Sequence, residues 1–175
     1  MEETITKTSI SGLVLIKRPT IEDDRGFFRE PVRIKGVEEA SGISFNVKQM
    51  NHARSSKNTL RGIHVAPWNK LIYVTRGKVQ AVLVDLREGS ETHGKYESVV
   101  IGDENKTSIF IPKGMGNSYL VMSEDADYVY LTDEEWSPNR EYGVAWNDPS
   151  LNIPWQLDGE PVLSDKDKNN PNLGS

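Results

Sequence analysis

The sequence predicts an all-β fold, an antiparallel sandwich or barrel. Short apolar runs recur about every ten residues with turn residues between them, the pattern of such folds. Before the C-terminus only residues 36–41 suit a helix. At 175 residues the chain is expected to make one domain, residues 1–175, around a single core.

Taken in order, residues 10–17 are apolar and partly β-branched and read as the first strand. Pro19 and the charged cluster ending in Gly26 mark a turn. Residues 26–31 make a second extended piece, with Pro31 favouring an edge or an end. Residues 45–51 alternate, which places Phe45, Val47 and Gln49 on one face. Residues 59–74 hold two apolar-rich runs around a short loop containing Pro67 and Asn69. Residues 71–75 and 79–86, joined by Arg76-Gly77-Lys78, read as a hairpin whose second arm, apolar on both faces, is central. Residues 96–101, 107–111, 118–122 and 127–132 are further strands, punctuated by polar or glycine-rich turns. Trp146-Asn147-Asp148-Pro149 is a strong turn signal. From Ser164 the chain turns polar and asparagine-rich, and its last few residues are expected to be mobile.

Composition narrows the function. There is no cysteine, which excludes disulfides, thiolate zinc sites and cysteine nucleophiles and suits a reducing cytoplasm. The first seven residues are polar and carry no signal-peptide core. No run approaches the ~20 apolar residues of a membrane helix. The net charge of −5 argues against a nucleic-acid partner, yet leaves room for a small phosphorylated ligand held by local arginines.

The chemistry concentrates in residues 59–74, where Arg61, His64 and Lys70 lie close together. Strand alternation points Leu60, Gly62 and His64 one way and Arg61 and Ile63 the other. If His64 and Lys70 end two neighbouring strands, an imidazole and an ammonium face one cavity. The imidazole takes a proton near neutral pH, and the ammonium stabilises the negative charge left behind. Taken alone, a histidine such as His64 is more often an ordinary partly buried one. His52, His64 and His93 are too far apart in sequence for a clustered metal site. Arg61 sits in an apolar strand, where a charge needs a partner or a ligand, and phosphate oxygens suit a guanidinium. Tyr128 and Tyr130 share a strand face, where core packing is the commoner role. Asp167, in a charged run, reads locally as solvated. The residues alone therefore reach an all-β domain with a His–Lys pocket lined by arginine.

An ordered series of motifs goes further. It comprises Asp24-Arg25-Gly26-Phe27-Phe28-Arg29-Glu30, Gln49-Met50-Asn51, Leu60-Arg61-Gly62-Ile63-His64 and Lys70-Leu71. Gly77-Lys78-Val79, Val84-Asp85-Leu86-Arg87, Ser90-Glu91-Thr92-His93-Gly94 and Ile111-Pro112-Lys113-Gly114 follow. Trp146-Asn147-Asp148 and Leu163-Ser164-Asp165-Lys166-Asp167 complete it. In this series the chain resembles the nucleotide-sugar 3,5-epimerases typified by dTDP-4-dehydrorhamnose 3,5-epimerase. The resemblance implies a metal-free, cofactor-free cupin jelly roll (a double-stranded β-helix with a few short helices) and a homodimer that exchanges N-terminal strands. It implies a nucleotide-diphosphate 4-keto-6-deoxy sugar as substrate, in deoxysugar or surface-polysaccharide synthesis, including lipopolysaccharide O-antigen.

By position, the resemblance gives the base to His64, its holder to Asp167, the proton donor to Tyr130 and the enolate-stabilising cation to Lys70. Gln49, Asn51 and Arg61 match nucleotide- and sugar-binding positions. Arg25, Phe28 and Glu30 match positions that serve the partner's site. Three positions depart from the pattern: Asn117 replaces a pocket histidine, Ala81 an aspartate and Trp136 a second tyrosine. Asparagine keeps hydrogen bonding without titrating, and tryptophan keeps a stacking face without acting as an acid. Both stay in the expected substrate pocket. Epimerisation at C3, at C5 or at both remains open. So do two rivals, a nucleotide-sugar-binding homologue without turnover and an isomerase that shifts the ketone.

Overall fold

The computed structural model describes residues 4–174. The strands are β1 (Thr4–Lys7), β2 (Val14–Lys17), β3 (Ile21–Asp23), β4 (Gly26–Phe28), β5 (Gln49–Ser56), β6 (Leu60–Val65), β7 (Lys70–Arg76), β8 (Lys78–Asp85), β9 (Tyr96–Gly102), β10 (Ser108–Ile111), β11 (Met115–Val121), β12 (Asp125–Thr132) and β13 (Tyr142–Gly143). Helix α1 (Ile34–Ser41) follows β4, and α2 (Asp165–Lys168) lies near the C-terminus. Neither helix is long and apolar enough to cross a membrane.

The strands form a six-stranded sheet, β1-β2-β10-β7-β12-β5, and a five-stranded sheet, β13-β6-β11-β8-β9. Every pairing in them is antiparallel, as the all-β expectation requires. The sheets bury one common core, with Ile72, Val74 and Tyr128 from the first meeting Val79, Leu83 and Val121 from the second. Alternate residues of β8 go elsewhere: Val82 and Val84 face outward against Val144, Leu151 and Trp155 of the C-terminal segment. That second cover is why β8 is apolar on both faces. On the far side of the six-stranded sheet, Val37 of α1 and Phe45 pack on Val14, Ile16 and Phe110. The Phe45 and Phe110 rings meet edge to face at 5.2 Å.

Several sequence expectations change. Strands β7 and β8 are not a hairpin; each belongs to a different sheet, and Gly77 turns the corner between them. Its φ is 81°, and a Cβ there would strike the Asp125 carbonyl oxygen. Strand β5 starts at Gln49, so Phe45 and Gln49 share no strand face; Phe45 is spent on the outer cover instead. The first predicted strand is shortened to β2, because Thr8 to Leu13 close a turn with Gly12 at a φ of 81°. The polar C-terminal stretch contains α2, and the Pro171 carbonyl and the Leu173 amide are both hydrogen-bonded to the body. Of the residues expected to be mobile, Ser175 lies outside the described residues.

Candidate active site

His64 and Asp167 are 103 positions apart in the chain and in contact in space. His64 Nε2 donates to Asp167 Oδ1 at 2.7 Å. The Asp167 side chain is 3 % exposed and that of His64 25 %. Ser164 caps α2 by accepting the Asp167 amide at 3.1 Å, which fixes the helix turn that carries the carboxylate. The Gly62 amide also donates to Asp167, at 3.4 Å. Burial pushes the Asp167 carboxyl up, but the His64 bond and charge, with Ser164 and Gly62, hold it below its ordinary value. With the Nε2 proton committed to a carboxylate, the Nδ1 lone pair of His64 is the free basic site.

The simple alternation expected along β6 fails in a useful way. Opposite β6, Asn117 pairs with His64 and Tyr119 with Arg61, so between these pairs one residue of β11, Ser118, faces two of β6, Gly62 and Ile63. The extra residue is a bulge, and it brings Arg61 and His64 onto one face although their numbers differ in parity. Both side chains line one cavity of about 190 Å³. Arg61 Nε donates to Ser55 Oγ at 3.0 Å, and among the described residues Arg61 has no carboxylate partner. It also lines an adjoining hollow of about 310 Å³ with Ser55, Ser56 and Thr59.

The six-stranded sheet supplies the other wall. Lys70 and Tyr130 line the same cavity from β7 and β12, with the Lys70 Nζ 5.9 Å from the Tyr130 ring centre. The expectation that His64 and Lys70 end neighbouring strands is therefore corrected. They stand on facing sheets, which is what leaves a space between them. The Asn69 amide and side chain donate to Asp133, at 2.9 and 2.6 Å, pinning the loop just before Lys70. Burial pushes the Lys70 ammonium below the usual lysine range, against the opposing charge of Glu141. Burial, then the Glu141 charge, raises the Tyr130 phenol.

Three phenols line the cavity, and two are engaged. Tyr128 donates to Asn117 Oδ1 at 3.2 Å, and Tyr119 lies 3.4 Å from Ser55 Oγ. Tyr119 and Tyr128 stack at 4.0 Å. Among the described residues the Tyr130 hydroxyl makes no hydrogen bond, so it stays available to a ligand.

Asn117 and Trp136 line the cavity. Gln49 and Asn51 are not among its lining residues and lie on the neighbouring strand β5. They pair with Thr132 and Tyr130, hydrogen-bond each other at 2.7 Å, and Gln49 Oε1 accepts the Trp136 amide at 2.8 Å. Ala81 is in the core between the sheets. Arg25, Phe28 and Glu30 do not reach this cavity within one chain. Arg25 is held by Asp23 and Glu30 by Arg18 and Arg33, and Phe28 is 67 % exposed on the β3–β4 hairpin. Sequence reasoning missed Tyr119 and Glu141, both in the cavity. Only the pairing of β13 with β6 brings Glu141 there, and no local pattern announces it.

Comparison with known proteins places the chain in a family. The sequence model of the dTDP-4-dehydrorhamnose 3,5-epimerase family matches residues 7–175. A dTDP-4-dehydrorhamnose 3,5-epimerase of Pseudomonas aeruginosa is 39 % identical over 166 residues, 93 % of this chain and 92 % of that one. The structure of a dTDP-6-deoxy-D-glucose-3,5-epimerase from Legionella pneumophila, in complex with dTDP-4-keto-L-rhamnose, superposes with a TM-score of 0.93 at 36 % identity, covering 98 % of this chain and 93 % of that one. A 3'-monoepimerase from Streptomyces bikiniensis in complex with dTDP-quinovose gives a TM-score of 0.89 at 36 % identity, covering 98 % and 87 %. The expected cupin-type sandwich is thus the observed one. The chain belongs to the dTDP-4-dehydrorhamnose 3,5-epimerase family, a family of isomerases.

Proposed function

We propose that the protein epimerises a dTDP-linked 4-keto-6-deoxy sugar at C3, C5 or both, by proton removal and return. The ketone at C4 acidifies the hydrogens on both neighbouring carbons. His64 Nδ1 takes one of them, and the C–H electron pair moves into the carbonyl to leave an enolate oxygen. Asp167 orients the ring and stabilises the imidazolium that forms. Lys70 donates to the enolate oxygen. Tyr130, on the facing sheet, returns a proton to the opposite side of the carbon. Arg61, at the junction of the two hollows, holds the diphosphate.

A single observation carries this reading: a carboxylate-braced imidazole and an unengaged phenol line one cavity from opposite sheets. The complexes of related proteins with dTDP-4-keto-L-rhamnose and dTDP-quinovose support the substrate class. The exposed Ile21, Phe27 and Phe28 on the β3–β4 hairpin favour a homodimer in which this hairpin crosses to the partner's site.

The test is solvent-deuterium uptake into dTDP-4-keto-6-deoxyglucose, followed by NMR. Tyr130→Phe is expected to keep uptake, because His64 can return deuterium to the face it came from. Inverted product should fall by about a hundredfold or more. Wild-type protein that exchanges no deuterium, beside an active relative, overturns the proposal.

A further inference from the structure

Glu141 has no place in the chemistry described so far, yet it lines the same cavity as His64, Lys70 and Tyr130. It stands one residue before β13, whose pairing sets Tyr142 against Val65 and Gly143 against His64. Its side chain is 13 % exposed and its two oxygens are divided between two cations. Oε2 lies 3.9 Å from Lys70 Nζ, and Oε1 lies 3.3 Å from Lys166 Nζ. Lys166 is the α2 residue next to Asp167. One carboxylate therefore stands between the ammonium on one wall and the helix that braces the histidine on the other.

The Lys70 contact is an ion pair too long to be a hydrogen bond. Among the described residues the Lys70 ammonium donates no hydrogen bond, so its N–H groups remain free for an oxygen in the cavity. A lysine with a side chain only 8 % exposed tends to lose its proton, because burial penalises the charged form. A neutral amine would not balance the charge of an enolate oxygen. The charged and titratable groups around Lys70 are Glu141, Lys166 and Tyr130, with His64, Arg61, Tyr119 and Tyr128 also lining the cavity. Of these, only Glu141 is an anion.

Resting on the epimerase reading above, we infer that Glu141 is a positioning residue. It keeps Lys70 charged while leaving the lysine's donors to the substrate oxygen, and so sets the alkaline limit of turnover. Glu141 also keeps the Tyr130 phenol protonated, so its removal moves both groups in the same direction. The two effects separate in a Tyr130→Phe background, where no phenol titrates at that position.

The experiment uses the full chain with isotope-labelled lysine side chains. The Lys70 NMR signal is assigned by its absence in Lys70→Arg, then titrated in wild type, Glu141→Gln, Glu141→Asp and Lys166→Ala without substrate. Glu141→Gln is expected to lower the Lys70 midpoint by about one pH unit or more, and Glu141→Asp to recover part of the shift. Lys166→Ala should leave the midpoint in place or raise it, since it removes a repelling cation. In the Tyr130→Phe background, deuterium uptake by Glu141→Gln should lose its alkaline limb at a correspondingly lower pH. A Lys70 midpoint unchanged in Glu141→Gln overturns the inference. So does a Lys166→Ala protein that reproduces the Glu141→Gln shift, which would reduce Glu141 to a strut for α2. Because the titration needs no substrate, a wild type without deuterium uptake would sink the epimerase reading separately.

Discussion

Asp167→Asn separates the charge of the histidine's brace from its shape. In the native site Asp167 accepts from His64 at 2.7 Å, with its side chain 3 % exposed. Once His64 has taken a substrate proton, the carboxylate faces an imidazolium. With roughly 4 Å between charge centres and an effective dielectric constant of about 20, their attraction is about 4 kcal/mol. Asparagine keeps the volume and one acceptor and loses the charge. The lost stabilisation belongs to the charged state formed during reaction, so it falls on the barrier and lowers the rate about a thousandfold. The amide can also present an N–H to the ring and favour the wrong tautomer, which adds to the loss. Folding stability should move by only about 1 kcal/mol, because burial opposes the carboxylate's charge while His64 favours it. The assay is deuterium uptake by NMR beside urea unfolding of the same preparations. An Asp167→Asn protein within tenfold of the wild-type uptake rate refutes the reasoning. A rate loss that merely tracks unfolding refutes it equally.

The remaining predictions concern the supports of the site and the acid limb of stability. Gly62 has a φ of 122°, and a Cβ there would sit 2.7 Å from the Ser118 side chain and 2.8 Å from the Asn117 carbonyl oxygen. Gly62→Ala is therefore expected to cost about 2–4 kcal/mol in urea unfolding. Its uptake rate should fall more than about tenfold, because the Gly62 amide and His64 move together. Asp85, with a side chain 0 % exposed, accepts from Arg87 Nε and Nη2, each at 2.8 Å, and from Ser90 Oγ at 2.6 Å. Burial raises its pKa, but Arg87, Ser90 and Thr92 hold it far below the ordinary carboxylate value. A depressed folded pKa gives stability that is present above the unfolded value of about 3.9 and lost as pH falls toward the folded one. Asp85→Asn should cost about 2–4 kcal/mol at neutral pH and flatten the decline in acid, read from unfolding curves across pH.

The fold is legible in the sequence where structure is local. Turn residues separate the strands, and residues 36–41 lie within α1. The failures share one cause. Gly77 supplies the positive φ that a hairpin needs, and a corner between sheets needs it equally. Turn chemistry says that the chain reverses; it does not say which sheet receives it. Phe45 reads as a strand residue by alternation, but the sheet's outer face needed a cover and Phe110 offered it a ring to pack on. The apolar doubling of β8 is the counterexample, a pattern that reports tertiary burial directly because both faces are covered.

The site divides along the same line. His64, Lys70 and Arg61 attract notice as titratable or charged residues within apolar runs. Asp167 lies in a run that composition reads as solvated, and it becomes the histidine's partner only when α2 docks 103 residues away in sequence. One local cue does exist: Ser164 followed three residues later by Asp167 is a helix-start pattern, and it is the pattern that fixes α2. The face of Arg61 had no such cue. A strict two-residue period separates it from His64, and the bulge opposite Asn117 and Tyr119 reunites them. The shared cavity thus depends on one residue of register, a quantity set by the pairing strand and invisible in β6 itself. Arg61→Ala tests that placement without touching the backbone, because it takes the guanidinium out of the cavity and leaves the His64–Asp167 bond intact. Such a variant should lose affinity for the nucleotide diphosphate before it loses proton transfer, which calorimetry and deuterium uptake on one preparation can separate.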